Sequence, residues 1–147
     1  MTSRRHEIHT TLVKLLNHNL NGVTYDSNIY SKVSPVVEFY DEVDQFPYVS
    51  VSIGSELRHP EGGITWSDLG VSIRVYTRSE STHRTDELSQ FLEDISILLE
   101  KNLNLGLKYV MDITIQNIYT DEGSLAPMAV AEMLVVVKYD AISGLCT

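Results

Sequence analysis

The side chains in this sequence whose types and spacing invite chemistry are carboxylates and imidazoles. His6 and His9 stand three apart with Glu7 between them, the spacing at which two ligands on one helix face can share a metal ion. No third ligand stands near them in the sequence, so the group reads as a solvated helix face. Asp41, Glu42 and Asp44 form an acidic knot. Clustered carboxylates can relay protons or hold a hard cation; just ahead of a strand they read as a solvated turn or as part of a charged interface. Asp121 and Glu122, followed by Gly123, receive the same reading. His18, His59 and His83 fall in expected loops or helix ends and read as surface residues. Cys146 is the only cysteine and carries no motif around it, so no internal disulfide is expected. No glycine-rich phosphate loop followed by Lys-Ser or Lys-Thr occurs, and no Gly-x-Ser-x-Gly nucleophile turn. Gly62-Gly63 alone reads as a turn.

No catalytic set is therefore assembled in the sequence, and neither a cofactor nor a metal is expected. Charge narrows the partners further. The 147 residues carry 11 Lys and Arg against 20 Asp and Glu, a formal net charge of −9. Binding to a phosphate backbone needs clustered cations that displace counterions. Here Arg4-Arg5 and the scattered Arg74, Arg78 and Arg84 come nearest to a cluster. Specific nucleic-acid binding is not expected, although an acidic wall can let DNA slide past without adhering. No apolar run is long enough to cross a bilayer, and no apolar block follows the basic residues near the start, so neither a membrane partner nor a secretory signal is expected. At 43% hydrophobic and 21% charged the composition is that of a globular protein. A chain of this size buries roughly 68–70% of its unfolded surface, so one domain over 1–147 can hold a core without staples.

The elements that position these groups follow from periodicity. Ser3 or Thr2 can cap a helix running to about Leu20, with Ile8, Leu12, Leu15, Leu16 and Leu20 on one face and Asn21-Gly22 as its stop. Residues 25–33 read as irregular, and 36–40 as a short strand. Residues 48–53 alternate strictly, Val49, Val51 and Ile53 against Tyr48, Ser50 and Ser52; Pro47, with no N–H, suits the strand's start. Residues 54–63 read as a long glycine- and proline-bearing hairpin loop, and 64–77 as the returning strand, with a bulge or bend near Gly70. A second amphipathic helix is expected from about Asp86 to Leu103, carrying Leu88, Phe91, Leu92, Ile95, Leu98, Leu99 and Leu103 inward. Asp86 and Glu87 suit its positive end. Strands follow over 111–119 and 130–139, with 121–124 as a turn; the run 134–137 implies burial on both faces. The expected class is α+β: a mainly antiparallel twisted sheet of four to five strands, two amphipathic helices on one face, and a long β-hairpin. Trp66, the sole tryptophan, flanks that hairpin and reads either as core or as an interface anchor.

One ordered set of residues has a counterpart. The stretch 40–51, YDEVDQFPYVSV, is an acidic cluster, then Phe-Pro, then an alternating strand. It is followed by Gly54-Ser55-Glu56, a glycine-bearing hairpin, Thr65-Trp66 and the strand VSIRV at 71–75. A long amphipathic helix, Tyr119 with Asp121 and Glu122, and an alanine-flanked last strand ending at Tyr139 complete the set. In this order and at this length the chain resembles the tail terminator, or tail-completion, proteins of long-tailed bacteriophages. The segment 21–35 is longer than that pattern, and the turn around Pro127 has no counterpart in it.

The resemblance implies a structural virion protein and no catalysis. Its partners are other copies of itself in a hexameric ring, the tail tube protein, and a head-completion or neck protein. The ring caps the head-proximal end of the tube, ends its polymerisation and offers the head-joining surface at the head–tail junction, after assembly in the host cytoplasm. DNA passes through its lumen without specific binding. On that reading Arg58, His59, Glu61 and Trp66 are candidates for the tube or ring interface. Asp41, Glu42, Asp44, Asp121 and Glu122 are candidates for the lumen or for intersubunit contacts. The alternatives are another phage neck or tail-tube protein and, from a different class, a small acidic ligand-binding domain or enzyme.

Overall fold

Ser3 begins the first helix as the spacing predicts: its hydroxyl accepts from the His6 backbone N–H at 3.1 Å, satisfying one of the donors a helix start leaves open. The computed structural model describes residues 3–22, 28, 33–35, 46–78, 84–122 and 125–141. In chain order these give α1 (Arg4–Asn19), β1 (Val33–Ser34), β2 (Tyr48–Glu61), β3 (Ile64–Arg78), α2 (Arg84–Glu100), β4 (Val110–Thr120) and β5 (Met128–Asp140). The expected short strand at 36–40 lies outside the described residues.

The five strands form one sheet in the order β1-β2-β3-β5-β4. β1 runs parallel to β2, and every other pairing is antiparallel. β5 threads between β3 and β4, so α2 carries the chain over β5's position to the sheet's far side. Both helices cover one face. Ile8, Leu12, Leu16 and Leu20 of the first helical segment meet Val49 and Val51 of β2, while Leu88, Ile95, Leu98 and Leu99 of α2 meet the buried positions of β3 and β5. Burying one such side chain contributes about 1.5–3 kcal/mol, so this face supplies most of the cohesion. The class is the α+β arrangement expected from the sequence.

Four details depart from expectation. Most of the expected hairpin loop, 54–63, is strand: β2 continues to Glu61 and pairs with β3 up to Glu61↔Ile64. Only Gly62 and Gly63 turn, with φ of 55° and 91°, the left-handed pair that a two-residue hairpin requires. The bulge lies in β2, between Ile53 and Glu56, and not in β3; Gly70 faces it, and a Cβ there would sit 3.2 Å from the Ser55 carbonyl oxygen. α2 ends at Glu100, before Leu103, which is exposed. The run 134–137 is buried on one side only: Val135 and Val137 are buried, whereas Leu134 and Val136 are half-buried on the sheet's second face. That face is closed around Ser50 and Tyr76. Beyond them it opens into a shallow trough with Ser52, Gly70, Ser72, Leu134 and Val136 along it.

Candidate functional site

A β-strand shows alternate residues to opposite faces, and one extra residue reverses the parity of all that follow. In β2 the bulge does this. Val49 and Val51 face the helices before it; Glu56 and Arg58 do so after it, opposite Leu69 and Ser67. The distal half of β2 and the start of β3 thus form an arm whose helix-side face carries polar groups; β5 still flanks β3 as far as Trp66↔Asp140, so only residues 60–65 at the tip are two-stranded.

At the root of the arm these groups close into a cluster. Glu56 accepts from the Tyr139 hydroxyl and from Arg58 Nε, the latter at 2.7 Å, and Arg5 of α1 lies 3.6 Å from it. Arg5 also donates to the Gly54 carbonyl at 3.0 Å. Burial pushes the Glu56 carboxyl up, but the hydrogen bonds from Tyr139 and Arg58, with the charges of Arg58 and Arg5, outweigh it and hold the group below its ordinary value. Burial, the bond to Glu56 and its negative charge push the Tyr139 phenol far above its usual range. A second cluster lies alongside. Tyr109 donates to Glu7 at 2.7 Å, and Arg4 stacks 4.8 Å from the Tyr109 ring centroid while donating to the Asp140 carbonyl. Burial, then Glu7, raises the Tyr109 phenol in the same way. Every acid and phenol described in these clusters is held by a neighbour, as expected of structural ties.

The arm brings together the candidates proposed for an interface. Arg58 is bound to Glu56 on the helix side. His59 lies on the other face, 3.1 Å from Asp68, and pairs across the ladder with Trp66. Trp66 is half-buried, with the Lys138 ammonium 5.7 Å from its ring centroid, so it is neither core nor freely projecting. Glu61 is exposed beside the turn. Asp121 is committed to the β4–β5 turn: its carboxylate accepts from the Leu125 and Val130 backbone N–H groups at 3.1 and 3.3 Å. Glu122 follows it, exposed, with a φ of 54°. Asp41, Glu42 and Asp44 lie outside the described residues, as do His83 and Cys146.

The two helical histidines part company. His9 Nε2 donates to the Val51 carbonyl at 2.7 Å, whereas His6 meets Thr10 at 3.4 Å. They share no ligand geometry. Sequence reasoning missed Glu56, Arg5, Tyr139 and Asp68 as partners. The bulge that turns Glu56 inward has one signal, the adjacent Gly54-Ser55.

Comparison with known proteins bears on the whole chain. Residues 1–144 match a family model described as Bacteriophage Tail Tube Terminator Protein. The chain is 33% identical over 127 residues to the tail tube terminator protein p142 of Escherichia phage T5, covering 78% of each. Among solved structures, a chain in the virion of a native gene transfer agent particle superposes with a TM-score of 0.62. That match covers 90% of this chain and 94% of the other at 12% identity, a likeness of fold.

Proposed function

The chain belongs to the bacteriophage tail tube terminator family, and from that premise we propose that its copies close into a hexameric ring on the head-proximal end of the tail tube. The ring ends tube growth and presents the surface to which the head's completion protein joins, with one domain per copy. The single observation that supports this most is the family match running from residue 1 to residue 144. The architecture agrees with it. A ring needs a heterologous contact, in which one surface meets a different one, and the sheet ends in two unlike edges, β1 with the arm on one side and β4 on the other.

The arm, with Arg58, His59, Glu61 and Trp66, is the part that reaches the adjoining tube or ring subunit. Its work is contact and not catalysis. The net charge of −9 suits a lumen through which DNA moves without adhering. Asp41, Glu42, Asp44 and Glu122 remain candidates for its wall; the turn bonds of Asp121 leave it less free to serve there. Assembly in the host cytoplasm and a final place at the head–tail junction complete the reading.

Electron microscopy of tails made without this gene tests it. Tubes of uncontrolled, excessive length are expected. Tubes of normal length, or none, assign the chain to another neck or tube role.

A further inference from the structure

The sheet leaves two stretches of strand with no strand on their outer side among the described residues. One is the whole of β4, eleven residues at the end of the sheet; the other is residues 55–61 of β2. The rest of β2's outer side is occupied. β1 pairs with Val49 and Ser50, and α1 guards the next stretch, His9 holding the Val51 carbonyl and Arg5 the Gly54 carbonyl. An unprotected edge is a template for another strand.

Apolar surface is concentrated on the same two stretches. Of the five large apolar side chains exposed among the described residues, Leu57 lies on the arm at 63% exposure, and Met111, Ile118 and Tyr119 lie on β4 at 54%, 44% and 55%. Only Leu103 lies elsewhere. Strand direction also fits. β2 and β5 run one way, β3 and β4 the other, so β4 of one copy beside β2 of the next gives an antiparallel pair.

We propose that neighbouring copies join edge to edge, the outer side of β4 in one copy pairing antiparallel with residues 55–61 of β2 in the next. The occupant of each edge is a second copy of this chain, and the inference rests on the ring reading above. Backbone pairing supplies the attraction, and Leu57, Met111 and Tyr119 bury apolar area across the seam. Because the two edges differ, the contact is head to tail, and closing the circle leaves neither edge free. A β4-to-β4 contact would instead stop at two copies and leave both arms unpaired.

The test is photo-crosslinking in assembled tails. Leu57 is replaced by benzoylphenylalanine, the tails are irradiated, and linked peptides are identified by mass spectrometry. Links to residues 110–120 of a second copy are expected. The variant Tyr119→Asp is expected to keep its thermal midpoint as an isolated chain while its incorporation into tails falls more than tenfold. Rings visible by electron microscopy with links to another segment or another protein, or with no links, overturn the edge pairing and leave the ring reading intact. Links between two β4 strands overturn it as well. Tails that carry no ring of this chain overturn both.

Discussion

The hydroxyl of Tyr139 donates to the carboxylate of Glu56 across 83 positions of sequence, and so ties the end of the last strand to the root of the arm. The bond exists because the β2 bulge turns Glu56 toward the helices at the level where β5 ends. Arg5 of α1 and Arg58, two residues along β2, then neutralise the carboxylate.

Removing Glu56 should therefore loosen the arm. Glu56→Ala leaves a buried phenol without its acceptor, which costs about 1–3 kcal/mol, or roughly 2–4 °C of thermal midpoint per kcal/mol in a chain of this size. Tyr139→Phe, which removes donor and demand together while Glu56 keeps its arginines, is expected to cost less. Thermal denaturation of the two variants, monitored by circular dichroism, checks the order; equal losses would contradict it.

Acid should weaken the same tie. The folded state holds the Glu56 carboxyl below its ordinary value of 4.5, so the unfolded chain takes up the proton first. The stabilisation is present above 4.5 and fades as pH falls through the lower folded value. Glu56→Gln is expected to flatten the fall in denaturant midpoint below that pH, with little change in slope between pH 6 and pH 8.

Alkali acts through the phenols with the opposite sign. Tyr139 and Tyr109 are both raised above their ordinary 10.0, so their contribution is complete below that pH and is lost as pH climbs beyond it. The double variant Tyr109→Phe with Tyr139→Phe should lose less stability than the parent between neutrality and pH 11. Parallel denaturant curves at the two pH values decide it.

Gly70 is the pivot opposite the bulge. A methyl group there meets the Ser55 carbonyl at 3.2 Å, so Gly70→Ala must shift the bulge by a few tenths of an ångström, and Gly70→Val by more. Overpacking of this kind costs roughly 1–3 kcal/mol. Gly70→Val is expected to retain the helix signal while impairing tail termination more than its melting temperature would suggest; tube-length distributions by electron microscopy measure that.

Deleting a core contact provides the contrast. Leu12 on α1 is fully buried, and Leu12→Ala should cost about 2–5 kcal/mol. Its effect on tails should follow soluble protein yield, since the side chain is fully buried and presents nothing to a partner.

The helices and the covered halves of the strands were legible because each buries one face and so repeats its apolar residues at the period of its backbone. Ile8, Leu12 and Leu16, or Val71, Ile73 and Val75, need no more than that. The outgoing strand of the arm was illegible for the same reason. Nothing imposes an apolar alternation on it, and Glu56, Arg58, His59, Pro60 and Glu61 read as a loop by composition, whereas the returning strand over 64–77 was expected and is present. β1 escaped because two residues carry no period. Leu103 kept the helical spacing although the helix had already ended at Glu100. The Glu56 cluster depends on a one-residue change of parity, which only the folded ladder reveals. Whole-chain resemblance nonetheless placed the family correctly, because it rests on the order of elements and not on any one contact.

The hairpin of β2 and β3 turns in two residues at its tip and is clamped at its base by Arg5, Glu56 and Tyr139. Mechanically it is a cantilever and not a tether. A push on the tip travels to the first turn of α1 and to the end of β5 instead of dissipating in slack chain.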